Sequence, residues 1–253
     1  MKREIKEVLL EIKVLRVTTT DERWYIIEGK DHPSSTWIAG CYPKGIGFYK
    51  WLAEHGWDEA EAIKVAAGDK GSKVHQAISL LIGGAKLSYN SLVMNPSTAM
   101  EEELSVEEWE YILSFCKWWE ETKPRPISFD GVVYNPTVDY AGTLDLLCEI
   151  NGETWIIDFK TSQYLWPEHE LQISSYLHAL DKPARLGILQ IGYRKNKAGF
   201  KFTEVEDKFS LFLAAREIWQ NEHGNEKPKQ KDYPLELILS QEKEKENGTA
   251  RKK

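Results

Sequence analysis

Cysteine is scarce and scattered. Cys41, Cys116 and Cys148 are the only three in 253 residues, and no Cys-x-x-Cys pair occurs. Too few thiolates are present for a four-cysteine zinc or iron–sulfur centre. No apolar run reaches the roughly 18–20 residues of a bilayer span, and no signal peptide is legible. With an odd cysteine count, these absences make a reducing cytoplasm the expected compartment. The phosphate-cradling pattern Gly-x-x-x-x-Gly-Lys-(Ser/Thr) is missing, so no ATP site is expected in cis and a helicase is excluded. There is no internal repeat. Basic charge is not in excess either: 33 Lys and Arg stand against 40 Asp and Glu, for a net −7. Residues 1–223 alone carry 25 against 34. A nucleic acid would therefore have to be met by a local basic patch and metal ions, not by a global field.

An apolar content of 42% suffices for one large domain with a full core. Its most informative stretch is Gly142-Thr143-Leu144-Asp145-Leu146-Leu147-Cys148-Glu149-Ile150, then Asn151-Gly152, then Glu153-Thr154-Trp155-Ile156-Ile157-Asp158-Phe159-Lys160. Asn-Gly between two apolar runs is a strong signal for a two-residue hairpin turn. That turn puts Ile150 opposite Glu153, and counting back puts Asp145 opposite Asp158, with Lys160 on the same face. Cross-strand partners lie about 4.5–5.5 Å apart at Cβ, where like charges repel. Two carboxylates facing each other between apolar strands call for a cation. An isolated Asp-x-Lys is more often a solvated ion pair; the register is what turns this one into a candidate metal site. Hard oxygen ligands select Mg²⁺ or Mn²⁺. With a lysine beside them they suit phosphodiester hydrolysis.

The remaining elements read in order. A β-hairpin is expected over about 5–29, with strands at 8–18 and 24–28 around a turn at Thr20-Asp21-Glu22. A loop at 31–35 leads to a short helix at 36–40, capped by Ser34 or Ser35. Helices follow at 48–55 and 58–82, the second interrupted at Gly68 and Gly71 and ended by Gly83-Gly84. Residues 85–104 are polar and irregular. Ser105-Val106-Glu107-Glu108 opens a helix to about Thr122 through a capping box. Strands are expected at 127–134, 142–150 and 153–160, a helix at 168–180, strands at 185–193 and 199–205, and a helix at 207–222. Trp37, Trp51, Trp109, Trp118 and Trp155 are expected in the core. Arg194, Lys195, Lys197 and Lys201 form one candidate basic patch; Lys44, Lys50, Lys70 and Lys73 form another.

Gly142-Thr143-Leu144-Asp145, then Asp158-Phe159-Lys160-Thr161-Ser162, then Gln172-Ile173-Ser174-Ser175-Tyr176, with Gly71-Ser72-Lys73-Val74-His75 upstream, resemble the PD-(D/E)XK nuclease superfamily. The nearest branch is the RecB-type exonucleases, which include phage exonucleases, the mitochondrial genome-maintenance exonuclease and the CRISPR-adaptation nucleases; the iron–sulfur cluster of the last is not expected here. The resemblance spans roughly residues 34–205.

It implies an α/β (α+β) fold, a mixed central β-sheet flanked by helices, with an N-terminal β-hairpin and helical region. Residues 1–240 would form one nuclease domain, with the hairpin and helices in 1–123 and the catalytic sheet in 124–223. Residues 241–253 would be a disordered charged tail. It further implies a metal-dependent DNA exonuclease acting on free or single-stranded ends, in recombination, repair or phage DNA metabolism, in the cytoplasm of a bacterial or phage-infected cell. An endonuclease of the same fold, or a catalytically silent DNA-binding scaffold, is the alternative. Asp145 and Asp158 would be metal ligands, with the Phe159 carbonyl and His75. Lys160 would be the catalytic lysine, and Gln172 and Tyr176, at i and i+4 of one helix, would contact the substrate. Trp166, in the loop after Lys160, is a further candidate for stacking on a base. Where the family often has a glutamate on the preceding strand, this chain offers Asp130.

Overall fold

The structure, a computed structural model, describes residues 14–18, 22–180 and 182–228. The Asn151-Gly152 turn sets its central register. Both turn residues take positive φ, +52° and +84°, as a two-residue hairpin turn requires. The turn joins β7 (Tyr140–Ile150) to β8 (Glu153–Lys160), pairing Ile150 with Glu153 and Leu146 with Ile157. β6 (Arg125–Asn135) pairs antiparallel with β7, while β9 (Arg185–Ile191) pairs parallel with β8 and antiparallel with β10 (Phe200–Val205). The five strands run β10-β9-β8-β7-β6. The parallel step demands a crossover, supplied by α5 (Pro167–Ala179). The fold is thus mixed α+β, as expected.

The two faces of the sheet divide the core in two, and β7 breaks its alternation at Asp145, since Leu144 and Leu146 fall on opposite faces. On one face, α3 (Trp57–Ile82) and α4 (Val106–Thr122) bring Val74, Ile78, Ile112 and Phe115 onto Leu146, Ile157, Phe159 and Leu189. On the other, α5 packs Ile173 and Tyr176 against Leu144, Ile156 and Ile188. Asp158 and Lys160 continue the Ile156 row, and so point toward α5. Ser105 and Glu108 form the expected capping box at the start of α4.

A three-stranded antiparallel sheet, β1 (Val14–Thr18), β2 (Arg23–Ile27) and β3 (Lys30–Pro33), leads into α1 (Ser35–Gly40), whose first turn Ser34 caps. α2 (Ile46–His55) follows, and α6 (Phe209–His223) closes the fold. Trp24, Trp37 and Trp219 meet edge to face with centroids 5.1–5.8 Å apart, joining β2, α1 and α6.

Several expectations are corrected. The loop at 31–35 contains strand residues of β3. Gly68 and Gly71 do not interrupt α3, which is continuous; each costs about 1 kcal/mol relative to alanine, less than the packing of Val74, Ala77 and Ile78 supplies. The irregular 85–104 segment holds a hairpin, β4 (Leu92–Asn95) and β5 (Met100–Glu103). Its turn is built by Asn95, which accepts from Ser97 N–H at 2.9 Å and donates to Glu102 at 3.0 Å. Of the tryptophans assigned to the core, Trp118 and Trp155 are buried, whereas Trp37, Trp51 and Trp109 are only half-buried; Trp24 and Trp219 are buried instead. The expected strand residues 8–13, the turn residues Thr20 and Asp21, and the tail 241–253 lie outside the described residues.

Candidate active site

At the end of the β7–β8 hairpin the backbone ladder stops at Leu146↔Ile157. One step further in that register, Asp145 faces Asp158, and the Asp145 carboxylate takes over the missing ladder bond: its Oδ2 accepts from the Phe159 N–H at 2.7 Å. On the other side, β6 pairs Phe129 with Leu146 and Gly131 with Leu144, which sets Asp130 across from Asp145. Three neighbouring strands therefore present Asp130, Asp145 and Asp158 in one row. Asp130 adopts a left-handed φ of +48° in mid-strand, a conformation that aspartate tolerates better than most residues.

α3 delivers His75 to this row, its Nδ1 3.2 Å from Asp145 Oδ1. Burial works against charge on both groups. It would lower the imidazole and raise the carboxyl, but their mutual attraction wins: the His75 pKa moves up, and that of Asp145 moves down, helped by Lys160 and the Phe159 N–H. Asp158 behaves oppositely. It is 2% exposed, and burial pushes its carboxyl up to about 6 despite Lys160, with Asp145 adding repulsion. Lys160 Nζ lies 2.7 Å from Asp158 Oδ2, yet off the direction of a hydrogen bond, so this buried oxygen lacks an aligned donor. Asp130, exposed overall, has its carboxyl pushed up by desolvation on the cleft wall and by Asp145, against a hydrogen bond from Ser79.

Lys160 is held from α5. Its Nζ donates to Gln172 Oε1 at 3.0 Å, while Gln172 Nε2 reaches Tyr176 OH at 2.6 Å and Thr36 Oγ1 at 3.3 Å. Tyr176 is buried, and desolvation lifts its phenol well above the ordinary range. Gly142 is the residue that admits its ring. His169 sits half-buried near Lys160, and burial followed by the charges of Lys160 and Lys44 holds its pKa down to about 3.

His75, Asp130, Asp145, Asp158, Lys160, Trp166, Gln172 and Tyr176 all line one cleft of about 1360 Å³ between the central sheet, α3 and the N-terminal sheet. The expected side chains are thus brought together in one cleft. Arg16, Arg23, Lys64 and Thr36 also line the cleft. Sequence reading missed them because their strands and helices carry no motif; only the topology turns them inward.

Three of the four lysines in the expected basic patch ahead of His75 are neutralised, Lys50 alone being in no ion pair among the described residues. Lys44 pairs with Glu168, Lys70 with Glu107 at 2.7 Å, and buried Lys73 sits between Glu108 at 2.9 Å and Glu102 at 3.6 Å. Arg194, in the other patch, pairs with Glu107 at 2.6 Å.

Among the described residues, no group of three or more His, Cys, Asp or Glu side chains is drawn together as a ready-made metal cage. Both oxygens of Asp145 are engaged, by His75 and by the Phe159 N–H. The donor set still suits a hard divalent cation: adjacent carboxylates, one of them holding a buried oxygen without an aligned donor. No helix among the described residues is long and apolar enough to cross a membrane.

No family model matches the chain, and no curated protein does. Among solved structures it is similar to the alkaline exonuclease LHK-Exo from Laribacter hongkongensis, at 11% identity and a TM-score of 0.41, covering 76% of this chain and 87% of that one.

Proposed function

We propose that the protein is a divalent-metal-dependent deoxyribonuclease of the PD-(D/E)XK type, working as an exonuclease on DNA with free or single-stranded ends. The observation that carries this reading is Asp158 Oδ2: buried, without an aligned donor, one strand from Asp145, and 2.7 Å from a lysine ammonium. A structural ion pair would be expected to satisfy that oxygen. A site waiting for a cation would not.

In this reading Asp145 and Asp158 supply the hard oxygen donors for Mg²⁺ or Mn²⁺, joined by the Phe159 carbonyl and by His75, with Asp130 as a further acidic residue. An ion held there would supply polarisation of the phosphodiester and a lowered pKa for a water molecule. Lys160 has three ammonium protons. One is donated to Gln172, leaving the others to orient the attacking water or offset charge on the phosphoryl oxygens. Gln172 and Tyr176 fix the azimuth of that lysine and border the substrate, as does Trp166. Water adds to phosphorus, the P–O bond to one deoxyribose breaks, and the proton lost by the water ends on the departing oxygen or in solvent.

The test is hydrolysis of end-labelled single- and double-stranded DNA with Mg²⁺, with Mn²⁺ and with EDTA. Cleavage is expected with either ion and none with the chelator. Undiminished cleavage in EDTA would overturn the reading of the carboxylates.

A further inference from the structure

The loop between β8 and α5 leaves Lys160 and exposes two large aromatics, Tyr164 at 59% and Trp166 at 47%. Their ring centroids are 6.1 Å apart. Exposed rings are ordinary on a mobile loop, but this loop is pinned from both sides. Gln163 donates to the Gly192 carbonyl at 2.8 Å and accepts from the Arg194 N–H at 2.9 Å. Buried Gln190 donates to the Ser162 carbonyl at 2.9 Å, and the Ser162 hydroxyl to the Tyr164 carbonyl at 2.8 Å. The chain thus fixes a backbone whose visible effect is to hold two rings out in water. The same bonds bring in the β9–β10 turn, where Lys195 places its ammonium 4.5 Å from the centre of the Tyr164 ring. Its neighbour Arg194 is neutralised by Glu107; Lys195 is in no ion pair among the described residues.

We propose that Tyr164, Trp166 and Lys195 form a strip on which single-stranded polynucleotide lies outside the cleft, bases on the rings and a phosphate on the ammonium. The proposal rests on the nuclease reading for its direction, because Trp166 also lines the cleft and makes strip and site continuous. Charge and shape choose the occupant. Alternating aromatic faces and a free cation match a strand with unpaired bases, while a duplex hides its base faces and offers only phosphates. Rings already fixed by the loop lose little freedom on stacking.

The test is fluorescence anisotropy with fluorescein-labelled oligothymidylates of about four and about twelve nucleotides, in EDTA so that nothing is cleaved. Tyr164→Ala should weaken the longer oligonucleotide roughly tenfold and the shorter, which the cleft can hold alone, less than about twofold. Lys195→Ala should flatten the dependence of log K on log salt by about 0.7. Both side chains are exposed, so unchanged thermal unfolding serves as the control for folding. If wild type cleaves linear DNA but both variants bind the longer oligonucleotide as wild type does, the strip falls and the nuclease reading stands. If wild type does not cleave with either ion while the two losses persist, the strip stands and the nuclease reading falls. A matching loss on a duplex of the longer length would overturn the single-strand assignment.

Discussion

Gly142 lies so close to Tyr176 that any side chain would collide: a Cβ on residue 142 would sit 2.5 Å from Tyr176 Cε1 and 3.0 Å from Ser35 Oγ. The glycine three residues before Asp145 therefore serves a lysine on another strand. It lets the Tyr176 ring in, Tyr176 accepts from Gln172, and Gln172 holds Lys160. Gly142→Ala should destabilise the fold by about 1–3 kcal/mol through overpacking. The urea midpoint measures this, and an unchanged midpoint would mean that the ring moves aside freely and does not transmit position.

Asp158→Asn should make the metal-free protein more stable at neutral pH while abolishing cleavage. The folded-state pKa of about 6 stands above the ordinary carboxyl value of 3.8, so the folded chain holds this proton more tightly than the unfolded one. Stability contributed by the group is full at low pH and is lost as pH rises through 6. The displacement bounds the gain from asparagine at about 3 kcal/mol, less whatever the lost attraction to Lys160 takes back. Thermal melts in EDTA should show the variant ahead above pH ~7 and level with wild type near pH ~4. A variant less stable at every pH would mean that the Lys160 pair outweighs desolvation.

Lys160→Ala should lower turnover by roughly 10²–10³-fold, as for removal of a preorganised donor. Gln172→Ala leaves the ammonium in place but frees its azimuth. A loss of about tenfold, in kcat more than in KM, is expected there. Equal losses confined to KM would assign both residues to plain substrate binding.

Linear single strands should be degraded while a circular single strand of the same sequence survives. The cleft is walled by α3 on one side and the N-terminal sheet on the other, which favours entry by an end. Rapid nicking of a closed plasmid, with linear strands untouched, would favour an endonuclease.

The hairpin register was readable because Asn151-Gly152 is local: two residues fix where every later pair falls. The placing of Asp145 and Asp158 on neighbouring strands followed from it, whereas His75, 3.2 Å from Asp145, was singled out only by the family resemblance. Electrostatics was less readable. Lys44, Lys70 and Lys73 look like a basic stripe in sequence, yet their partners Glu168, Glu107, Glu102 and Glu108 lie 29 to 124 positions away and only the fold supplies them. The β4–β5 hairpin failed for another reason. Met100-Glu101-Glu102-Glu103 has no strand signature, and a side chain, Asn95, builds its turn.

β8 is gripped unequally, and this gives the site a place in time. Its pairing with β7 ends at Leu146↔Ile157, whereas its pairing with β9 runs from Trp155↔Arg185 to Lys160↔Gln190. The hairpin is a local unit that forms in ~1–10 μs, but the parallel partner must wait for the crossover helix. On a ribosome, His75, Asp130, Asp145, Asp158, Lys160, Gln172 and Tyr176 are all synthesised before Arg185. A chain stalled at that point holds every motif residue and still lacks the strand whose Ile188 pairs with Asp158, so the cleft is completed only after its candidate residues have all been synthesised.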